Sequence, residues 1–123
     1  MPGLLQLISI IQAKKQARKL VAAKLDNRDI ELIEGKTSIH AGKLVVEARY
    51  RVAGQEHAVA ARRTLLGEDA TVTIDGAVVD QPDVDLKSGL RGLKVAVKYI
   101  VQYEQAGVAH ELRFYAFVRV LGL

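Results

Sequence analysis

The chain has 123 residues, half of them apolar and 26% charged, with a formal net charge of +4 and no cysteine. That length predicts a single domain, residues 1–123, large enough to bury roughly two-thirds of its unfolded surface. Disulfide and thiolate chemistry are excluded, and a chain without cysteine fits a reducing compartment.

Residues 1–25 open apolar and turn basic, with no acidic residue before Asp26. A secretory signal places its bases before the apolar run; here Lys14, Lys15, Arg18 and Lys19 follow it, so no secretory signal is expected. No apolar run approaches the ~18 residues needed to span a bilayer. Leu, Gln, Lys, Arg and Ala dominate, and the segment reads as a helix over 4–25. At about 100° per residue, Ile10, Ala13, Ala17, Leu20 and Val21 form its core stripe. Leu4, Leu7, Ile8 and Ile11 fall on another side, so something besides the protein's own sheet is expected to cover the first turns.

Residues 26–42 read as a connector holding a short strand near 29–35. From residue 43 the chain alternates. Leu44, Val46, Ala48, Tyr50 and Val52 point one way and their neighbours the other, as in a half-buried strand. A turn at 53–55 leads to a return strand over 57–66. Asp75-Gly76 suits a two-residue type I′ hairpin turn. Residues 80–89, DQPDVDLKSG, read as a loop. Strands follow over 93–103 and 108–121, the second with Leu112, Phe114, Ala116, Val118 and Val120 inward. The expected fold is α+β: one long N-terminal helix packed on a mostly antiparallel meander sheet of five to seven strands, with partial closure into a barrel as a variant.

A helix followed by such a meander, with Val52-Ala53-Gly54 at its first hairpin, resembles the cystatin protease inhibitors. Only those three residues of the five-residue inhibitory loop match; Tyr50 and Arg51 depart from it. The chain has no tryptophan for the second inhibitory hairpin, and inhibitory activity is not carried over. AGQEH at 53–57 and AGVAH at 106–110 stand at equivalent places in two hairpins, a likeness that shared turn chemistry is enough to explain.

Catalytic signals are weak, and neither a catalytic residue, a metal site nor a cofactor is assigned. His57 and His110 would meet only if their hairpins lie side by side. Their neighbours Glu56 and Glu111 point to the opposite strand faces. Asp80, Asp83 and Asp85 lack the spacing of a calcium loop.

Binding surfaces are better supported. Residues 68–85 hold six acids and no base, so the charge is polarised and one copy can attract another head to tail. Tyr115 and Phe117 put aromatic surface on the outer face of the last strand, and such residues are enriched at interfaces. The expected function is therefore a non-enzymatic interaction module, a subunit of a homo-oligomer or larger assembly. Leu4, Leu7, Ile8, Ile11, Tyr115 and Phe117 would form the contact. The alternative is a nucleic-acid binder using Lys43, Arg49, Arg51, Lys94, Lys98, Arg113 and Arg119 on the outer sheet face. A third reading is a ligand or enzymatic pocket between helix and sheet.

Overall fold

The computed structural model describes residues 18–66, 69–91 and 94–119, and all of its regular structure there is antiparallel β. In chain order the strands are β1 (Arg18–Lys19), β2 (Ala22–Leu25), β3 (Arg28–His40), β4 (Lys43–Val52), β5 (Gln55–Thr64), β6 (Ala70–Ile74), β7 (Ala77–Val78), β8 (Asp80–Arg91), β9 (Lys94–Gln105) and β10 (Val108–Arg119). The spatial order is β7-β6-β5-β4-β3-β2-β10-β9-β8. Only Val79 separates β7 from β8, and its N–H donates to Val72 O at 3.1 Å. The two ends of the sheet are thus one stretch of chain, which pairs first with β6 and then with β9. The sheet curls into a nearly closed barrel.

The α+β expectation is wrong. The predicted helix over 4–25 is overturned at its C-terminal end, where residues 18–25 form β1 and β2; residues 4–17 lie outside the described residues. Tertiary pairing overrides helix propensity here. β2 fills the gap between β3 and β10, and Val21 N–H donates to Tyr115 O at 2.7 Å. Leu20 is buried while Val21 is 56% exposed, which is the alternation of extended chain and not of a helical stripe. Leu20 lies directly over Gly35, where an added Cβ would come within 2.9 Å of its side chain. Among the described residues no helix packs on the sheet, which removes the architectural basis of the cystatin resemblance there; Ala53 and Gly54 simply form the β4–β5 turn, both with positive φ.

The other corrections also lengthen strands. The connector over 26–42 holds the 13-residue β3, not a short strand. The loop expected over 80–89 is most of β8: Val84 and Leu86 point inward while Asp83 and Lys87 stay exposed. Proline cannot donate to a ladder, and Pro82 sits at the register irregularity between Asp80 and Asp83, where no donor is required. The Asp75-Gly76 hairpin stands as expected, both residues having positive φ.

Inward residues of all the main strands fill the barrel, among them Leu44, Val46, Ala61, Val72, Val84, Tyr99, Leu112 and Phe114. The buried Thr37 hydroxyl donates to Val45 O at 3.1 Å, so this polar group costs little.

The barrel also divides into two topologically equivalent halves. β3 pairs through residues 28–30 with β2 and thereafter with β4, with a register irregularity at Leu32/Glu34. The stretch 77–91 repeats this, pairing first with β6, then with β9, with its irregularity at Asp80/Asp83. β3-β4-β5-β6 therefore corresponds to β7/β8-β9-β10-β2. Sequence order is permuted, because β2 precedes β3 in the chain yet completes the second half.

Candidate functional site

The repeated fold brings together two copies of one side-chain arrangement. Asp26 and Asp75 each take the first position of a hairpin turn with φ near 50° (50° and 53°). In that conformation each carboxylate reaches back to the neighbouring strand. Asp75 Oδ1 accepts the Ala58 N–H at 2.8 Å, and its Oδ2 meets His57 Nδ1 at 2.7 Å. Asp26 Oδ1 accepts the Glu111 N–H at 2.9 Å, and its Oδ2 meets His110 Nδ1 at 2.9 Å. Backbone bonds close each clamp: Asp75 N–H donates to Ala58 O, and Asp26 N–H to Glu111 O.

Each histidine lies against the tyrosine directly across its own hairpin. Tyr50 and His57 ring centroids are 5.7 Å apart, and those of Tyr103 and His110 5.4 Å, at nearly the same tilt. Tyr50 and Tyr103 line the same cavity, and each influences the other's ionisation. Burial is the main cause that pushes both phenols above their ordinary value, so both stay neutral at physiological pH. Asp75 is held below the usual carboxylate range by its His57 hydrogen bond and then by the Ala58 N–H. Desolvation raises Asp26, but the His110 bond, the Glu111 N–H and the charges of His110 and Arg28 together outweigh it.

His57 and His110 thus line one cavity, together with Tyr50, Tyr103, Asp75 and Gln105. Their acids are Asp75 and Asp26, distant in sequence, and not Glu56 or Glu111. Comparison with protein families, curated proteins and solved structures finds no match for this chain. The site is therefore read from its own chemistry. An aspartate–histidine pair is half of a nucleophilic relay, yet no serine or threonine lines the cavity. Among the described residues no group of three or more His, Asp or Glu side chains is placed to hold a metal ion.

The surface residues named from sequence separate into two classes. Arg49 bridges Glu34 and Glu56 at 2.9 and 3.0 Å, Arg51 pairs with Glu31 at 2.9 Å, and Arg113 with Glu111 at 2.8 Å. Those three guanidinium groups are largely neutralised. Lys98 instead stands 5.7 Å from the Tyr115 ring centroid, and Lys94 stands 6.0 Å from that of Phe117; Lys24, 6.0 Å from Tyr115, also pairs with Asp29 at 3.7 Å. Phe117 is 48% exposed and Tyr115 half-buried, both on the outer face of β10. Lys43 is exposed at the β3–β4 turn. The Arg119 backbone pairs with Lys94. Leu4, Leu7, Ile8 and Ile11 lie outside the described residues.

Charge is segregated along the barrel. The end formed by the β2–β3, β4–β5, β6–β7 and β9–β10 turns carries Asp26, Asp29, Glu31, Glu56, Asp75, Asp80 and Glu104, against Lys24, Arg28 and Arg51. The other end carries Lys43, Arg62, Arg63 and Lys94, against Asp69. The acidic run noticed in the sequence supplies Asp75 and Asp80 to one end, and folding adds acids from every other turn there. Among the described residues no helix is long and apolar enough to cross a membrane.

Proposed function

We propose that this protein is a non-enzymatic subunit of a head-to-tail assembly, in which the basic end of one barrel docks on the acidic end of the next. The segregation of charge to opposite barrel ends carries this reading. A contact between unlike ends is heterologous and propagates into a ring or a filament. Complementary potentials of this kind steer encounter and set orientation. Exposed lysines and turn carboxylates are inexpensive to bring together, because neither is buried in the separate subunit.

Sedimentation velocity at micromolar concentration tests the proposal. Self-association is expected at low ionic strength, with dissociation near 0.5 M salt, where the screening length falls to about 4 Å. The pair Lys43→Glu and Arg62→Glu should abolish it, as should the pair Asp29→Lys and Asp80→Lys. Mixing the two double variants should restore a contact, since unlike ends are then available again. A wild-type chain that stays monomeric at low salt would sink the proposal.

One observation favours a second reading. Lys98 stands beside Tyr115 and Lys94 beside Phe117, supplying charge for phosphates beside rings for stacking. A single-stranded oligonucleotide should then bind with an affinity that falls steeply with salt, and Tyr115→Ala with Phe117→Ala should weaken it. Binding that ignores both changes would remove this reading.

A further inference from the structure

The acidic end of the barrel holds a cavity of about 130 Å³ between the two clamps, lined by Tyr50, His57, Asp75, Tyr103, Gln105 and His110, with Leu25, Val52 and Ile74 as its apolar wall. We infer that this cavity is a socket for a small organic cation, an ammonium or guanidinium headgroup carried on a short apolar stem.

Four features define that ligand. An ionised carboxylate only accepts hydrogen bonds, so each neutral histidine carries its proton on Nδ1, facing Asp75 or Asp26. In that neutral form Nε2 of each ring is a lone-pair acceptor. Tyr50 and Tyr103 also line the cavity, each packed against its histidine ring, so the wall is aromatic and without a cation of its own. Asp75 lines the cavity, and Asp26 and Glu104 stand at the same end, so the potential there is negative and an anionic ligand is disfavoured. The volume is close to the roughly 150 Å³ that holds one benzene, which suits a headgroup of a few heavy atoms and excludes a nucleotide or sugar. A transition metal fits less well, because among the described residues no group of three His, Asp or Glu side chains is placed to hold one.

The headgroup can come from a free amine or from a lysine or arginine at the basic end of a second copy; the second source rests on the head-to-tail reading above. The experiment follows the His57 and His110 imidazole resonances by NMR in the full chain. The probes are methylguanidinium, propylammonium, acetate and zinc, at matched ionic strength. Both histidines are expected to shift together and saturably with at least one organic cation, and not with acetate. In the His57→Phe/His110→Phe variant, methylguanidinium affinity, followed through the tyrosine resonances, should fall at least tenfold. Should that variant fail to fold, the wild-type titrations decide alone. Absence of a saturable shift with both organic cations, an equal response to acetate, or saturation by zinc alone would overturn the inference.

Sedimentation in saturating methylguanidinium, against sodium chloride at the same ionic strength, separates the sources. If it dissolves the assembly, the side chain of a second copy occupies the socket. If the assembly is unaffected, the natural ligand is a free cation. A chain that binds methylguanidinium but never self-associates loses the assembly and keeps the socket.

Discussion

In the first half of the barrel, Asp75 clamps β5 to a hairpin that the chain already ties to it through residues 65–69. In the second half Asp26 makes the same contacts between β2 and β10, strands held side by side by hydrogen bonds alone, with Glu111 lying 85 residues further along the chain. The chemistry is duplicated and the covalent support is not. One clamp reinforces a local connection, while the other joins the beginning of the described chain to its end. The halves differ in their cores as well. The inward residues Val46 and Ala61 of the first correspond to Tyr99 and Phe114 of the second, all of them fully buried. One half supplies bulk, and the other supplies room for it.

The largest break in this comparison should come from reversing that division of volume. Phe114→Ala is expected to cost about 3–5 kcal/mol in urea unfolding, through lost burial and a residual cavity. Filling the equivalent small position with Ala61→Leu should cost about 1–3 kcal/mol by overpacking. Equal effects would mean the two halves share their core evenly.

Next come the clamps. Asp26→Ala should cost about 1–2 kcal/mol, and Asp75→Ala about 1 kcal/mol, both reduced by partial exposure. Amide exchange discriminates the halves more sharply: Glu111 N–H should lose protection in the first variant to a greater extent than Ala58 N–H in the second, because no nearby chain connection holds β2 to β10. The opposite ranking would show that the long-range clamp is the less important one.

Acid should act on both clamps in the same sense. Asp26 and Asp75 have folded-state pKa values lowered from 3.8, so each binds its proton more readily in the unfolded chain. Their contribution is fully present above about pH 4–5 and is lost as pH falls through the folded value. Wild type should thus lose stability across that window, and the Asp26→Asn/Asp75→Asn variant should show a shallower loss in thermal melts at stepped pH. Parallel profiles would dissociate the clamps from the acid response.

The smallest effect concerns turns that both halves share. Ala53 and Ala106 lead their two-residue turns at φ of 50° and 52°, a left-handed conformation that asparagine accepts more readily than alanine. Ala53→Asn and Ala106→Asn should each stabilise by about 0.5 kcal/mol, equally in the two halves, as read from denaturation midpoints.

Strand periodicity was legible over 43–52 and 108–117, since alternation is local and the pattern named the buried Leu44, Val46, Ala48 and Tyr50 of β4 and Leu112, Phe114 and Ala116 of β10. The site was half legible. Reading three residues further back from the AGQEH and AGVAH turns exposes Tyr-x-x-Ala-Gly-x-x-His at 50–57 and again at 103–110. No local pattern could name Asp26 and Asp75 as the partners, because they come from other hairpins. Residues 18–25 and 80–91 were misread for a common reason. Lys, Ala and Leu favour a helix in isolation, and Asp, Gln and Pro favour a loop, but each segment had open strand edges to pair with. Ladder hydrogen bonds and burial of Leu20, Ala23, Val84 and Leu86 outweighed those preferences.

What the sequence by itself determined is therefore local: which residues alternate, where Asp-Gly and Ala-Gly turn the chain, and that its charges cluster. Tertiary structure alone decided that the first and last strands meet and that the halves repeat out of sequence order. It also decided that acids from separate turns gather at one end, beside two histidines facing a common cavity. Those outcomes depend on pairing between residues far apart in the chain, and periodicity within a short window carries no information about such pairing.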